Sequence, residues 1–292
     1  MAVLNSFQKL TRVLSGQPFG NGADGALTIS GNTTQSVANA SCSGTATSTT
    51  LTLGAASTFA NNEVVLIHQT RGTGVGQWEV NRISSGGGTT TLTLVRTLNY
   101  TYTDSGASQA QIFKIPMYTT VTVNSSIDWS SPNWGGDTGG FLLFAAKTAT
   151  FTGNGKANGG SGASSTGAPA GGTGGGFRGG AGDSATDTRQ ANGGEGSVGD
   201  TVEQTTANGN GGGGAKSVQP SAGFGGGGGG HVNAGAIGTN TGGGVGSING
   251  DGGSSVGAAD LTTLIFGGGA GGGANDGGGG DTIGGGGSGA GG

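Results

Sequence analysis

Few residues of this chain are of types that catalyse reactions, and their spacing matches no familiar catalytic pattern. The acid pairs Asp183/Asp187 and Asp200/Glu203 could serve a glycoside hydrolase, which needs two carboxyl groups about 5–9 Å apart, but solvated loop charge is the simpler interpretation. His68 and His231 are far apart, and no Cys/His cluster has metal-ligand spacing. We therefore expect no enzyme, no catalytic residue, no metal site and no cofactor.

Other function classes are disfavoured by short motifs and by charge. Gly72–Gly76 (GTGVG) lacks both the GxGxxG spacing and the Walker lysine, and no GxSxG elbow occurs. The net charge is −4 overall, and residues 151–292 carry four basic and nine acidic side chains, a net of −5. Nothing there would neutralise phosphates, so no nucleic-acid partner is expected. No stretch of about 18 apolar residues predicts membrane insertion, and the first residues lack the apolar core of a signal peptide.

The pattern of residues 1–20 predicts a short amphipathic helix. Leu4, Phe7, Leu10 and Leu14 recur at helical spacing, and Gly16 and Pro18 end the pattern. A helix this short is marginal alone in water. We expect these four side chains to dock it, either on the rest of the chain or on a neighbouring subunit, as an assembly element.

Residues 21–150 have the pattern of a β-domain, a small sandwich or barrel. Thr90–Val95 and Tyr118–Asn124 alternate polar and apolar residues, as strands do. Glu63–Thr70 contains a continuous apolar stretch, typical of a strand buried on both faces, and should pair with Gln77–Ser84 across the glycine turn. A second turn is expected at Gly86–Gly88. Core side chains are expected from Ile67, Phe113 and Ile115.

Two tryptophans, Trp129 and Trp134, lie beside paired glycines near the end of this β-domain. Their rings could close its apolar end, or they could form an exposed platform on which a sugar stacks. Both readings are open at the level of the sequence.

Glycine is concentrated in residues 151–292, which hold 57 of the 75 glycines. A flexible linker would be monotonous in Gly and Ser, whereas here apolar residues keep returning between the runs, as in Leu261–Phe266. Collagen is excluded, because glycine does not recur strictly every third residue. We expect a folded domain of packed polyglycine II helices, with a β-solenoid-like arrangement as the alternative.

Glycine makes such a bundle physically possible. Polyglycine II is a left-handed helix with three residues per turn, and the six glycines Gly225–Gly230 would span about 19 Å in it. Without a Cβ atom, neighbouring helices can approach closely enough to satisfy each other's N–H and C=O groups. The cost in backbone entropy is large, so many helices must pack together.

Glycine runs that alternate with Ser/Thr/Asn-rich segments resemble the glycine-rich host-recognition adhesins at the tips of T-even-type phage tail fibres. The resemblance covers about residues 151–292, and the block around VLIHQTRGTGVGQWEVNRISS is similar to glycine-rich proteins from phage genomes. It implies polyglycine helices as a rigid scaffold and the intervening segments as loops that contact the bacterial surface.

The resulting hypothesis is a non-enzymatic fibre or adhesin on the surface of a virion, or in an extracellular or cell-surface location. Its partners would be other virion proteins and a bacterial surface glycan or outer-membrane protein. The candidate loops are 183–192, 200–208, 215–224 and 231–241. The receptor-binding side chains expected from them are Arg189, Glu203, Gln204, Lys216, His231 and Asn233.

The alternative hypothesis is a structural filament subunit, viral or bacterial, that self-associates into homo-oligomers through residues 1–20 and its glycine-rich surfaces. Ice binding by a flat glycine-rich face is a third class, but the regular Thr or Ala spacing that it needs is not seen.

Overall fold

The computed structural model describes residues 21–157, 176–182, 190–217, 223–239, 247–258, 260 and 262–275. These residues are mainly β-structure and contain no α-helix. No helix that could span a membrane is found among them. The expected helix over residues 1–20, with Leu4, Phe7, Leu10 and Leu14, lies outside this part of the chain.

The chain divides into two units. The first, here called the barrel unit, comprises residues up to 132 together with 137–157 and 258–264; the second, the glycine unit, comprises 133–136, 158–257 and 265–292. The boundary predicted from the sequence was at residue 150. That prediction did not assign 133–136 to the second unit or 258–264 to the first.

Six antiparallel strands of the barrel unit close into a barrel in the order β3-β4-β7-β6-β5-β8. The sequence left a sandwich or a barrel open, and the structure shows a closed barrel. Its interior holds a cluster of apolar side chains that includes Leu51, Ile67, Leu92 and Ile112, all fully buried. The strands are β3 (Asn39–Ser43), β4 (Thr50–Leu53), β5 (Val64–Arg71), β6 (Trp78–Ser85), β7 (Thr91–Leu94) and β8 (Gln109–Lys114).

The continuous apolar stretch of β5 is explained by burial on both faces, as predicted. Val65 and Ile67 point into the barrel, whereas Val64 and Leu66 belong to a second cluster outside it, with Met117. β5 pairs with β6 in antiparallel register. Between them, Gly72, Gly74 and Gly76 all have φ near +80°, which explains why GTGVG is rich in glycine.

The remaining strands of the barrel unit form two parallel sheets, β1-β9-β11 and β2-β10-β12. Each sheet takes one strand from each of three successive turns of the chain, so the arrangement is solenoid-like, with the barrel inserted between the first turn and the second. A solenoid-like arrangement was only the alternative expected for the glycine-rich half, whereas the structure has one in the barrel unit. The strands are β1 (Leu27–Ile29), β2 (Thr33–Thr34), β9 (Met117–Val123), β10 (Asp128–Ser130), β11 (Ala145–Phe151) and β12 (Asn154–Lys156).

Both tryptophans near the end of the predicted β-domain are buried. Trp129 is 2% exposed and packs with Val121, Val123 and Phe144 in the core of the solenoid-like part. Trp134 is 1% exposed and belongs to the glycine unit. An exposed sugar-stacking platform is therefore wrong for this pair, because each ring is already covered by other side chains.

The glycine unit is held by backbone hydrogen bonds between extended segments. Among the described residues of this unit, the strands are the two-residue pair β13 (Gly223–Phe224) and β14 (Ala274–Asn275). Segments 208–217, 223–230 and 266–275 bond to one another in a triangle. The N–H groups of Gly212 and Ala215 donate to the carbonyls of Gly269 and Gly272, at 2.8 and 2.9 Å.

The same spacing of three residues closes the other two sides of this triangle. Gly227 and Gly230 donate to Gly213 and Asn210, at 2.8 and 2.7 Å. Gly268 and Gly271 donate in turn to Gly230 and Gly227, at 2.9 and 2.8 Å. In a β-sheet a strand bonds two neighbours by alternate residues, whereas here each third residue meets the same neighbour.

Glycine is required at these positions because the backbones approach too closely for a side chain. A Cβ atom added to Gly213, Gly227 or Gly271 would lie less than 3.0 Å from a backbone oxygen of the adjacent segment. Few side chains are therefore buried within the unit, among them Ala215, Phe224, Asn210 and Glu195.

Candidate receptor-binding surface

Side chains of the glycine unit gather at two opposite ends. Because 208–217 and 266–275 run parallel and 223–230 runs against both, Lys216, Phe224 and Ala274 lie at one end. Asn210, Gly230 and Gly268 lie towards the other. We call the first the Gln190 end, defined by Gln190, Gln204, Lys216 and Ile248, and the second the His231 end, defined by His231 and Asn233.

Three chain segments meet side by side at the Gln190 end. Lys216 pairs with Gln190 on one side and with Ile248 on the other. Its N–H donates to the Ile248 carbonyl at 2.8 Å, and the return bond from Ile248 is 2.9 Å. The half-buried Lys216 is thus fixed through its backbone, while its ammonium group enters no ion pair within the described residues.

Gln190 also orders the neighbouring segment 202–205. With its amide oriented to satisfy its surroundings, the side-chain oxygen accepts from the N–H groups of Gln204 and Thr205, at 2.8 and 2.7 Å. The Gln204 carbonyl accepts from Gly214 at 2.7 Å. The half-buried Gln190 side chain therefore holds Gln204 beside the segment that carries Lys216.

Glu203 projects from the same segment. It pairs through its backbone with Asn192 and is exposed. The Gln190 end thus collects Glu203, Gln204 and Lys216 from the predicted set. Val202 and Ile248, both 47% exposed, add apolar surface beside these polar groups.

His231 and Asn233 are placed elsewhere, at the His231 end. The His231 ring donates from Nε2 to the Ile265 carbonyl at 3.1 Å, and its backbone N–H donates to the Asn233 carbonyl at 3.0 Å. His231 is thus anchored by its own fold, whereas Asn233 and the neighbouring Val232 are exposed. The six predicted side chains do not form one cluster, and Arg189 lies outside the described residues.

A buried ionic cluster stabilises the His231 end. The fully buried Glu195 carboxylate accepts from Trp134 Nε1 at 2.7 Å and from Arg178 Nε at 2.9 Å. Arg178 also contacts Asp200 through its Nη2 atom. Burial opposes the charge on Arg178, but Glu195 and then Asp200 outweigh it and raise the pKa of the guanidinium. The cluster also includes three packed rings, Trp134, Phe177 and Phe266.

The chemistry of the Gln190 end is that of recognition. An ammonium, two carboxamides and a carboxylate stand beside two exposed aliphatic side chains, a mixture that can hydrogen-bond hydroxyls and amides while covering apolar carbon. Asp200, one member of an acid pair considered from the sequence, is engaged by Arg178; Asp183 and Asp187 lie outside the described part of the chain. Among the residues described, no group of three or more His, Cys, Asp or Glu side chains could hold a metal ion.

Sequence reasoning selected Glu203, Gln204 and Lys216 because they carry side chains between glycine runs. It did not select Gln190 or Ile248, which bring these residues together. The available signal was positional, since Gln190 lies in the candidate loop 183–192 and Ile248 follows a glycine run. Residue type alone gave no reason to choose either of them.

No family model and no curated protein sequence matches the chain. Partial likeness is found to solved phage tailspikes. The Gp54 tailspike of Acinetobacter baumannii bacteriophage AP22, solved with A. baumannii capsular saccharide, has 11% identity and a TM-score of 0.23, over 36% of this chain and 24% of that chain.

Two further tailspikes show likeness of the same degree. The Pseudomonas phage phi297 tailspike gp61 has 16% identity and a TM-score of 0.23, over 42% of this chain and 22% of that chain. The Pseudomonas phage LKA1 tailspike gp49 has 15% identity and a TM-score of 0.23, over 44% of this chain and 34% of that chain. The matched region therefore spans between about a fifth and a third of the length of the solved tailspikes to which this chain is similar.

Proposed function

We propose that the glycine unit is a bundle of polyglycine II helices that acts as a rigid scaffold. The observation that supports this is the spacing of three residues in the hydrogen bonds among 208–217, 223–230 and 266–275, which equals the three residues per turn of that helix. Segment 234–239 repeats it, since Gly235 and Gly238 donate to Gly253 and Gly250.

On this scaffold, we propose, the chain serves as a non-enzymatic surface protein of a virion that recognises a host surface. The Gln190 end is the proposed contact surface, with Gln204, Lys216 and Glu203 as receptor-binding residues. Its support is geometric: backbone bonds fix each of these residues, while Glu203 and the apolar Val202 and Ile248 remain exposed. A preorganised surface binds with less loss of side-chain and loop entropy.

The proposed partner is a bacterial surface glycan or an outer-membrane protein. A glycan offers hydroxyl groups to the carboxamide of Gln204 and the ammonium of Lys216, and aliphatic ring faces to Val202 and Ile248. Arg189, His231 and Asn233 stay predictions of the sequence. The structure separates His231 and Asn233 from the Gln190 end, so a receptor that spans both ends would be large.

The test is a binding measurement with the full chain. We would compare wild type with Gln204→Ala/Lys216→Ala on arrays of bacterial capsular and O-antigen polysaccharides and on outer-membrane vesicles. Loss of two fixed polar contacts should weaken binding at least about tenfold. Lys147→Ala on the exposed face of β11 is the matched control and should bind as wild type does. Equal binding by all three proteins would refute the proposed surface.

A structural filament subunit is the second candidate function, and exposed apolar side chains favour it. Val232 is 77% exposed and Ile237 65% exposed. Ile237 lies on the outer face of segment 234–239, whose bonds to the described residues run through Gly235, Ala236, Gly238 and Thr239. Two exposed aliphatic residues offer a surface on which a second copy of the chain could pack.

Electron microscopy of purified protein separates the two candidates. A filament subunit would form long polymers, which Ile237→Ser and deletion of residues 1–20 should shorten or abolish. An adhesin would stay discrete in both variants. Long polymers that persist in both variants would argue against the proposed assembly surfaces.

A further inference from the structure

A pocket of about 270 Å³ lies in the barrel unit, and none of its lining residues belongs to the proposed receptor surface. It is bounded by the segment before β1, by the turn that leads into β5, and by residues of β6, β8 and β9. Its size is near the lower end of the range for ligand sites, so it suits a single small ring. Its polar lining residues include Asp24, Asn61, Asn62, Glu63, Arg82 and Lys114.

Part of the pocket wall is apolar. Val64 and Met117 are 8% and 4% exposed and Ile115 is half-buried, and all three line the pocket. Aliphatic carbon of this kind favours contact with the non-polar face of a ring rather than with a fully hydrated ion.

The acidic groups of the pocket are already satisfied. Lys114 Nζ lies between Asp24 Oδ1, at 2.6 Å, and Glu63 Oε1, at 2.9 Å. The second oxygen of Asp24 accepts from the Met117 N–H at 2.7 Å, and the second oxygen of Glu63 accepts from the Ala60 N–H at 2.9 Å. Each carboxylate oxygen thus has a donor, which leaves these groups little capacity to bind a cation or a hydroxyl donor.

The spare hydrogen-bonding capacity consists mostly of donors. Within the described residues, no hydrogen bond or ion pair is made by the Arg82 guanidinium or by the Asn62 carboxamide. Asn61 uses its side-chain oxygen to accept from the Gly87 N–H at 2.9 Å, so its NH₂ group is the part left over. A guanidinium and two carboxamides favour a ligand that is rich in acceptors, and a carboxylate pairs best with arginine.

From these observations we infer that the pocket binds a monosaccharide unit that carries a carboxylate, such as a uronic acid. Its carboxylate would pair with Arg82, its hydroxyl oxygens would accept from Asn61 and Asn62, and its ring would cover Val64 and Met117. The inference goes beyond the proposed receptor surface, since every residue involved belongs to the barrel unit.

The test uses the full chain and two matched probes, methyl glucuronide and methyl glucoside, which differ in the carboxylate. Chemical-shift titration should show the glucuronide binding at least about tenfold more tightly, because the charged pair strengthens only that complex. Added salt should reduce this preference. Equal affinities, or no binding of either sugar, would overturn the inference.

Variants then assign the site. Arg82→Gln should abolish the preference for the glucuronide, while Lys147→Gln, which removes a positive charge outside the pocket, should leave it unchanged. Asn62→Asp is a second test in case Arg82→Gln does not fold. Asn62 is exposed, and aspartate tolerates its left-handed φ of 71°. The new charge should weaken glucuronide binding about tenfold. A preference for the glucuronide that survives in Arg82→Gln or in Asn62→Asp would contradict this site. That result does not depend on whether Gln204→Ala/Lys216→Ala changes receptor binding.

Discussion

Replacement of Gly227 by alanine tests whether close backbone contact holds the glycine unit together. The Gly227 N–H donates to Gly213 and its carbonyl accepts from Gly271, each at 2.8 Å. An added Cβ would lie less than 3.0 Å from the carbonyl of Asp251 and from that of Gly250. Since the obstacle is backbone rather than a flexible side chain, the segments must move apart.

The expected magnitude follows from three contributions. Overpacking costs about 1–3 kcal/mol, and weakening of two hydrogen bonds costs about 0.5–1.5 kcal/mol each. Alanine restricts the unfolded chain and offsets about 0.4–1 kcal/mol. We therefore expect Gly227→Ala to destabilise the unit by about 3 kcal/mol.

Gly135→Ala is the matched control within the same unit. A Cβ atom at Gly135 would meet nothing within 4 Å. The effect on the unfolded chain is the same in both variants, so their difference isolates the contact in the folded state. The control should change stability by no more than about 1 kcal/mol.

Hydrogen exchange read by mass spectrometry measures the effect segment by segment. In Gly227→Ala, peptides from 208–217, 223–230 and 266–275 should exchange about a hundredfold faster than in wild type, which corresponds to about 3 kcal/mol. Peptides from the barrel strands serve as an internal reference. Equal exchange in the two alanine variants, or unprotected amides in wild type, would refute the close-packed bundle.

Three further perturbations have defined outcomes. Glu195→Ala should cost about 3–5 kcal/mol because it leaves Arg178 without its buried partner, while the exposed control Glu203→Ala should change stability by less than about 0.5 kcal/mol; equal exchange of 176–182 in both would contradict this. Trp134→Phe keeps an aromatic ring but leaves the Glu195 carboxylate without the indole donor, and a loss of about 1–3 kcal/mol is expected by the same measurement. Burial lowers the pKa of His68 from 6.5 to about 4. Between these pH values the unfolded chain binds a proton on His68 that the folded chain does not. The barrel unit should therefore lose up to about 3 kcal/mol of stability as the pH falls from 6.5 towards 4, with no change from this group above pH 7. Urea denaturation across this range should show a smaller acid loss for His68→Gln than for wild type, and identical losses would contradict the assignment.

Local chemistry made the barrel strands predictable. The apolar stretch in Glu63–Thr70 and the alternation in Thr90–Val95 correspond to β5 and β7, because burial on two faces or on one face determines which side chains a strand can carry. The turn between β5 and β6 was also predictable from its three alternating glycines, all of which have a positive φ in the structure. These features depend on residues that are near one another in the sequence.

Long-range pairing was not predictable in the same way. β1 lies beside β9, which begins 90 positions after it, with the whole barrel between them in the sequence. A strand of three residues carries too little pattern to identify such a partner. Trp134 illustrates the same limit, because its neighbours Phe177 and Phe266 are distant along the chain.

The candidate surface shows the limit most clearly. Glu203, Gln204 and Lys216 were predicted because they carry side chains between glycine runs. Nothing in the sequence indicated that they lie apart from His231 and Asn233. That division depends on which way each segment runs and on its register against its neighbours.

The sequence by itself determined that residues 151–292 could not build an ordinary apolar core, and it predicted that the few side chains between the glycine runs carry any recognition. Only the tertiary structure decided which segments are neighbours and which side chains meet at the Gln190 end. The physical reason is that a glycine run has no side chain with which to specify a partner. Its neighbours are chosen by backbone hydrogen bonds and close approach, and these exist only once the segments are packed together.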